Sequence, residues 1–298
     1  MVVKPSILLV GGGNMGRSLL NAWRKNDLVG DVTVIDPYPV PELQKLARVM
    51  TDLSQLDKAE KFDVVVLAVK PQTAEEIMSK LVPFVTHDNF FLSIVAGKNV
   101  QFYQRYLGHK PIIRSMPNTP CQIGQGVTGL YATQETSLET GDIAEKLFEP
   151  TGVIFWIDEE RDMHDITAIS GSGPGFVFYL MEVLEKDLGR DGAIQAALYP
   201  EENSPAYMFF KNYLEASLAR NIADPETTEA VVKQIFKGSA LLARSDGSKS
   251  FVDLRQAVTS PKGTTEAGLD VLMQSDEDLA ARVEATLAAA SRRSRELA

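Results

Sequence analysis

Residues 7–16 read Ile7-Leu8-Leu9-Val10-Gly11-Gly12-Gly13-Asn14-Met15-Gly16, and Asp36 stands 20 positions beyond Gly16. Four consecutive apolar residues bounded by a glycine turn are the pattern of a strand buried on both faces, as in a parallel sheet. Met15 to Trp23 then reads as helix. In such a strand–turn–helix, Gly11 permits the tight turn, Gly13 lets a pyrophosphate approach the backbone, and Gly16 lets helix and strand pack closely. Asp36 closes a second apolar run, Val32 to Ile35, where an acidic side chain would hydrogen-bond the adenosine ribose hydroxyls of a dinucleotide. A GxGxxG pattern alone is weak, since glycine turns are common. Strand, helix, second strand and acid falling together at this spacing point to dinucleotide binding. A carboxylate at position 36 repels a 2′-phosphate and tilts the choice towards NADH, and Pro37-Tyr38-Pro39 offers no arginine in its place. Arg17, Lys45 and Arg48 are the cations left to reach such a phosphate.

Strand-like runs recur at Asp63 to Val69, Phe90 to Val95, Pro111 to Arg114, Gly126 to Tyr131 and Gly152 to Trp156. Helical stretches fit between them at Pro41 to Arg48, Gln72 to Leu81, Val100 to Leu107 and Leu138 to Phe148. This alternation predicts an α/β Rossmann domain with a doubly wound, mostly parallel sheet. After Asp165 the strand signals nearly stop. Phe176 to Leu188, Pro205 to Leu218, Pro225 to Ala243, Phe251 to Ala257 and Ala280 to Arg295 read as helices, with a polar loop at Leu198 to Pro205. The expected organisation is a dinucleotide-binding domain over 1–164 and an all-α domain over 165–298.

A length of 298 residues favours two domains, and a net charge of −10 argues against nucleic acid as a partner. Cys121 is the only cysteine, so no intramolecular disulfide can form. Met1 to Ser6 lacks the pattern of a signal peptide, and no apolar run reaches the ~18 residues of a membrane span. A cytoplasmic protein with no membrane partner is the expectation. His87, His109 and His164 are scattered, so no metal site is expected, and no GxxxxGK[ST] phosphate loop is present.

A second anion cradle lies near the end of the chain, at Val258-Thr259-Ser260-Pro261-Lys262-Gly263-Thr264-Thr265. Hydroxyls and glycine opening a helix present N–H groups to a small anion. The plainer alternative is that Ser260-Pro261 and Thr264-Thr265 cap two helices. Two cradles at opposite ends of one chain suggest a dinucleotide and a small carboxylate.

The glycine loop, Ala68-Val69-Lys70-Pro71-Gln72, Ser93-Ile94-Val95-Ala96-Gly97, Arg114 to Pro120 (Arg-Ser-Met-Pro-Asn-Thr-Pro), Ser170-Gly171-Ser172-Gly173-Pro174 and Val258 to Thr265, in this order, resemble the pyrroline-5-carboxylate reductase family, which closes proline biosynthesis. The resemblance implies a C-terminal all-α dimerisation domain that intertwines in a dimer or higher oligomer. The implied reaction is hydride transfer from NAD(P)H to the C=N carbon of 1-pyrroline-5-carboxylate; the family prior is NADPH, against the tilt of Asp36 towards NADH. It also implies residue roles. Thr265 would bond the ring nitrogen as the catalytic hydroxyl, and Ser260 with the N–H groups of Gly263 and Thr264 would hold the substrate carboxylate. Gly11, Gly13, Asn14, Met15, Gly16 and Asp36 would bind the cofactor, Ala68, Val69, Lys70 and Pro71 would line its adenosine side, and Ala96, Gly97 and Asn118 its nicotinamide half.

Two departures stand out. Lys262 replaces a glycine that the family usually carries, which would strain the backbone if φ is positive there. The segment from Arg190 to Asn221 is longer than usual. Other readings are a reductase of another cyclic imine or a small hydroxy acid, for which Lys186 and Lys233 lack the expected surroundings, and a non-catalytic nucleotide-binding homologue.

Overall fold

The computed structural model describes residues 4–86, 88–274 and 279–298, so His87 and the first three residues of the N-terminal reading lie outside the described residues. The chain divides into two compact units, Met1–Ser115 with Leu130–Glu160, and Met116–Gly129 with Arg161–Ala298.

The first unit is built on a sheet. The strands of that sheet are β1 (Ile7–Val10), β2 (Val32–Ile35), β3 (Arg48–Met50), β4 (Val64–Leu67), β5 (Phe90–Ser93), β6 (Ile112–Pro117), β7 (Gly126–Ala132) and β8 (Gly152–Trp156), of which the end of β6 from Met116 and the start of β7 to Gly129 group with the second unit. They lie in the order β3-β2-β1-β4-β5-β6-β7-β8. The pairs from β3 through to β6 are parallel. Asn118 N–H donates to Val127 O and Thr133 N–H to Ile112 O, which brackets β6 and β7 as an antiparallel pair. The apolar runs explain the burial. Leu8 and Val10 enter one hydrophobic cluster with Val65 and Leu67, while Ile7 and Leu9 enter another with Val64 and Val66. Each such side chain removed from water contributes roughly 1.5–3 kcal/mol. Helices α1 (Asn14–Lys25), α2 (Ala74–Leu81), α3 (Val100–Leu107) and α4 (Leu138–Phe148) connect the strands. Trp23 of α1 donates from Nε1 to Leu147 O, 2.8 Å.

The helix expected over Pro41 to Arg48 is instead a 3₁₀ turn, Pro41–Lys45, followed by the edge strand β3. Proline starts the turn, and Thr33, Val34 and Ile35 offer an open strand edge that Arg48, Val49 and Met50 pair with. That tertiary pairing outweighs the local helical pattern.

The second unit is helical: α5 (Met163–Ile166), α6 (Gly173–Leu198), α7 (Pro205–Leu218), α8 (Pro225–Ser245), α9 (Phe251–Ala257), α10 (Thr264–Leu272) and α11 (Leu279–Glu296). A wide π-type turn, Thr167–Gly171, joins α5 to α6. Gly189 interrupts α6 with φ 68 and ψ 172, at the residue after the expected helix end. Beyond the break Arg190 donates to Ala243 O, 2.9 Å, and lies 4.6 Å over the Phe251 ring. The 190–221 segment is folded against α8 and α9, with Tyr199 exposed in the loop before α7. Residues 116–129, which the expected 1–164 domain included, group with this unit. A Cβ on Gly238 of α8 would lie 2.1 Å from Gln125 O, and Gln234 Nε2 donates to the same carbonyl, 2.9 Å.

Candidate active site

In the sheet unit the strand order reverses between β1 and β4, the crevice where dinucleotides bind in such sheets. Gly11 N–H donates to Ile35 O, 2.8 Å, and Ala68 N–H to Val10 O, 2.7 Å, which ties the carboxyl ends of β1, β2 and β4 together. Gly11 has φ +105, and a Cβ on it would lie 2.3 Å from Ala68 O. On Gly16 a Cβ would meet Gly11 O at 2.1 Å, so this glycine serves the helix–strand contact. Gly13 behaves differently: a Cβ there would meet nothing within 4 Å. Its bareness serves something other than protein packing, which fits a ligand seated against the loop. Gly13 caps α1 without a side-chain hydrogen bond, and Asn14 and Met15 begin the helix with no acid in its first turn. Unpaired N–H groups and the helix dipole favour a phosphate there. The residues present therefore fit a dinucleotide.

Asp36 carries a duty the spacing did not reveal. Its Oδ2 accepts from Gly12 N–H at 2.7 Å and its Oδ1 from Tyr38 N–H at 2.8 Å. The carboxylate braces the glycine loop, and an ionised carboxylate retains lone pairs for a ribose hydroxyl. Arg48 is engaged elsewhere, with Thr33 Oγ1 at 3.0 Å and with Glu60, at the amino end of β3. It is thereby removed from the cations near Asp36. Ala68 and Val69 are half-buried, Lys70 is exposed, and Pro71 opens a 3₁₀ turn.

Ala96 and Gly97 form the turn after β5, with Gly97 at φ +76. Beneath them Ser93 Oγ bonds Tyr103 Oη at 2.6 Å and accepts from Val95 N–H at 3.1 Å. Burial pushes the Tyr103 hydroxyl up to about 12, against the opposing hydrogen bond from Ser93, so it stays neutral. Glu160 accepts from Val100 N–H at 2.5 Å and from the buried Arg114 at 2.7 Å. This ion pair anchors the start of α3 behind the Ala96-Gly97 turn, and the sequence carried no signal for it.

Asn118 is held by its neighbours in the helical unit. It is 2% exposed, its Nδ2 donates to Ser170 O at 3.1 Å, and its Oδ1 accepts from Val127 N–H at 2.9 Å. Both ends of the amide are thus engaged inside the helical unit, a bracing role that the motif did not signal.

In the helical unit, α9 ends at Ala257 and α10 opens at Thr264. Gly263 N–H donates to Ser260 O at 2.9 Å, so the turn itself takes the N–H expected to hold a carboxylate. Gly263 caps α10 with no side-chain hydrogen bond. The first-turn N–H groups of Thr264 and Thr265 have no partner among the described residues and, with the exposed Ser260, form the anion cradle that remains. Lys262 has φ +57 and an exposed side chain, while its backbone N–H donates to Glu266 at 2.6 Å and its carbonyl accepts from Arg293 at 2.7 Å. Holding lysine in the left-handed region costs about 1 kcal/mol. Lys262→Gly is therefore expected to raise thermal stability by up to about 1 kcal/mol, with kcat within about twofold of wild type. Melting curves and steady-state rates check this; a large loss of kcat would place the ammonium in the substrate site.

Thr265 is 6% exposed and its hydroxyl donates to Ser172 Oγ at 3.2 Å; Ser172 in turn donates to Thr264 Oγ1 at 3.2 Å. The glycines around Ser172 admit these neighbours. A Cβ on Gly175 would lie 2.6 Å from Thr265 Cγ2, and one on Gly173 would lie 2.8 Å from Ile235 Cγ2. Ser172 was recognisable as part of a motif, but no spacing rule links positions 172 and 265. Among the described residues no group of three or more His, Cys, Asp or Glu could hold a metal, and no helix is long and apolar enough to cross a membrane.

Two family models match the chain: pyrroline-5-carboxylate reductase dimerisation over residues 203–297, and NADP oxidoreductase coenzyme F420-dependent over residues 6–97. The pyrroline-5-carboxylate reductase of Pseudomonas aeruginosa is 32% identical over 298 residues, covering 99% of this chain and 97% of that protein. That of Haemophilus influenzae is 30% identical over 271 residues, covering 89% and 88%. A solved pyrroline-5-carboxylate reductase from Coxiella burnetii superposes with a TM-score of 0.63 at 28% identity, over 99% of each chain. The Plasmodium falciparum pyrroline carboxylate reductase structure with NADP bound has a TM-score of 0.59 at 22% identity, a likeness of fold.

Proposed function

This chain belongs to the pyrroline-5-carboxylate reductase family, and we propose from that premise how its own residues reduce 1-pyrroline-5-carboxylate to proline with a nicotinamide cofactor. The observation that carries the assignment of sites is the hydroxyl-rich opening of α10, with Thr265 buried beside unpaired first-turn N–H groups. When bound, the reduced nicotinamide supplies a hydride. The glycine loop and Asp36 hold the dinucleotide; Ala68, Val69, Lys70 and Pro71 line its adenosine side, and the Ala96-Gly97 turn its nicotinamide half. Ser260 and the N–H groups of Thr264 and Thr265 hold the substrate carboxylate, and the Thr265 hydroxyl meets the ring nitrogen. A cyclic imine needs alignment and a protonated nitrogen more than covalent help. The test is oxidation of NADH and of NADPH by purified protein, with and without pyrroline-5-carboxylate. Substrate-dependent oxidation is expected, and its absence with both cofactors would overturn the reading.

Asp36 favours NADH in this reading, because its charge is held at the end of β2 by two backbone N–H groups. Asp36→Ser is expected to shift the ratio of kcat/KM towards NADPH by roughly tenfold, about 1.4 kcal/mol, while weakening both cofactors through loss of the Gly12 brace. An unchanged ratio would remove Asp36 from the ribose.

Self-association runs through the helical unit. The dimerisation match spans α7 to α11, and Val183, Leu188, Tyr199, Met208 and Met273 leave apolar surface exposed on this unit. A dimer or larger ring of this unit would cover them. The cytoplasm, where reduced nicotinamide dinucleotides are available, is the compartment this reading assumes.

A further inference from the structure

We propose that Ser172 is a positioning residue that turns the Thr265 hydroxyl into an acceptor, so that the site selects the substrate with its imine nitrogen already protonated. This rests on Thr265 meeting the ring nitrogen.

A threonine hydroxyl has one proton and two lone pairs. Thr265 Oγ1 is oriented to donate to Ser172 Oγ, 3.2 Å away, and Ser172 is oriented to donate onward to Thr264 Oγ1, also at 3.2 Å. The proton of Thr265 is thus directed into the protein, and only its lone pairs remain for a ligand. Ser172 is 1% exposed, at the junction of the π-type turn and α6. The turn is itself held by Tyr213, whose hydroxyl donates to Ile169 O at 2.6 Å. On the other side the bare Gly175 lets Thr265 Cγ2 sit close against α6.

The chemistry agrees with this polarity. A neutral hydroxyl is a poor acid, and a neutral imine a poor hydride acceptor. A hydroxyl that accepts from the iminium N–H stabilises the reactive form without proton transfer. The imine takes its proton from solvent before reduction. The carbon then gains the hydride, the C=N π pair moves to nitrogen, the nitrogen keeps its proton, and the reduced nicotinamide is left oxidised.

A double-mutant cycle tests the proposal. Ser172→Ala is expected to lower kcat by roughly 10²-fold, with cofactor dissociation constants unchanged and with a smaller fall in kcat/KM as pH rises, because the released Thr265 hydroxyl can donate to neutral imine. Combined with Thr265→Ala, it should cause no further loss, since Ser172 acts through Thr265. Losses that multiply, or a Ser172→Ala enzyme with the wild-type rate and pH profile, would overturn the proposal. If Thr265→Ala itself retains the wild-type rate, the underlying site assignment fails instead. Should Ser172→Ala fail to fold, Ser172→Cys, which keeps the side-chain volume with a weaker acceptor, gives the same two readouts.

Discussion

Thr265→Ala is expected to lower kcat for pyrroline-5-carboxylate reduction by roughly 10²–10³-fold, the scale seen when one positioned group at a reacting centre is lost. Dissociation constants for NADH and NADPH should stay near wild type. The separation follows from location: Thr265 lies in α10 of the helical unit, whereas the glycine loop, Asp36 and Ala68 lie in the sheet unit. The hydroxyl also contributes one hydrogen bond to Ser172, so a stability loss of about 1 kcal/mol is expected alongside. Thr265→Ser, which keeps the hydroxyl, should recover most of the rate. Single-turnover kinetics and cofactor fluorescence titrations check both halves. A wild-type rate in the alanine variant would remove Thr265 from the ring nitrogen.

The second large effect is a contrast between two glycines of one motif. Gly16→Ala should cost about 1–3 kcal/mol of stability, because the new methyl lies against a backbone oxygen that cannot yield without moving α1 from β1. Gly13→Ala should leave the melting temperature near wild type, since its methyl would enter open space. Its cost should fall on the cofactor, with affinity lower by at least about tenfold, because that space is where the pyrophosphate sits in the proposed complex. Thermal melts and titrations of both variants separate the two roles. Equal cofactor affinity in Gly13→Ala and wild type would move the pyrophosphate away from this loop.

The parts of the molecule legible in the chain are those specified by local patterns. Four-residue apolar runs marked the buried strands, and the shift from strand to helix periodicity after Asp165 marked the helical region. The 3₁₀ turn and edge strand at 41–50 escaped because their form depends on the open edge of β2, which no local window contains. Residues 116–129 escaped for a related reason: the pattern of a strand says nothing about which helix packs on the turn that follows it.

The site divides in the same way. Glycine positions and the acid after β2 follow from motif spacing, since turn geometry and phosphate approach are properties of adjacent residues. The brace from Asp36 to Gly12, the diversion of the Gly263 N–H into its own turn, the internal use of Asn118 and the hydroxyl chain from Thr265 to Ser172 all depend on atoms placed by packing. Ser172 and Thr265 are 93 residues apart in the chain and 3.2 Å apart in the fold. Hydrogen bonds are decided over about 3 Å, and only the folded backbone brings such atoms within that range.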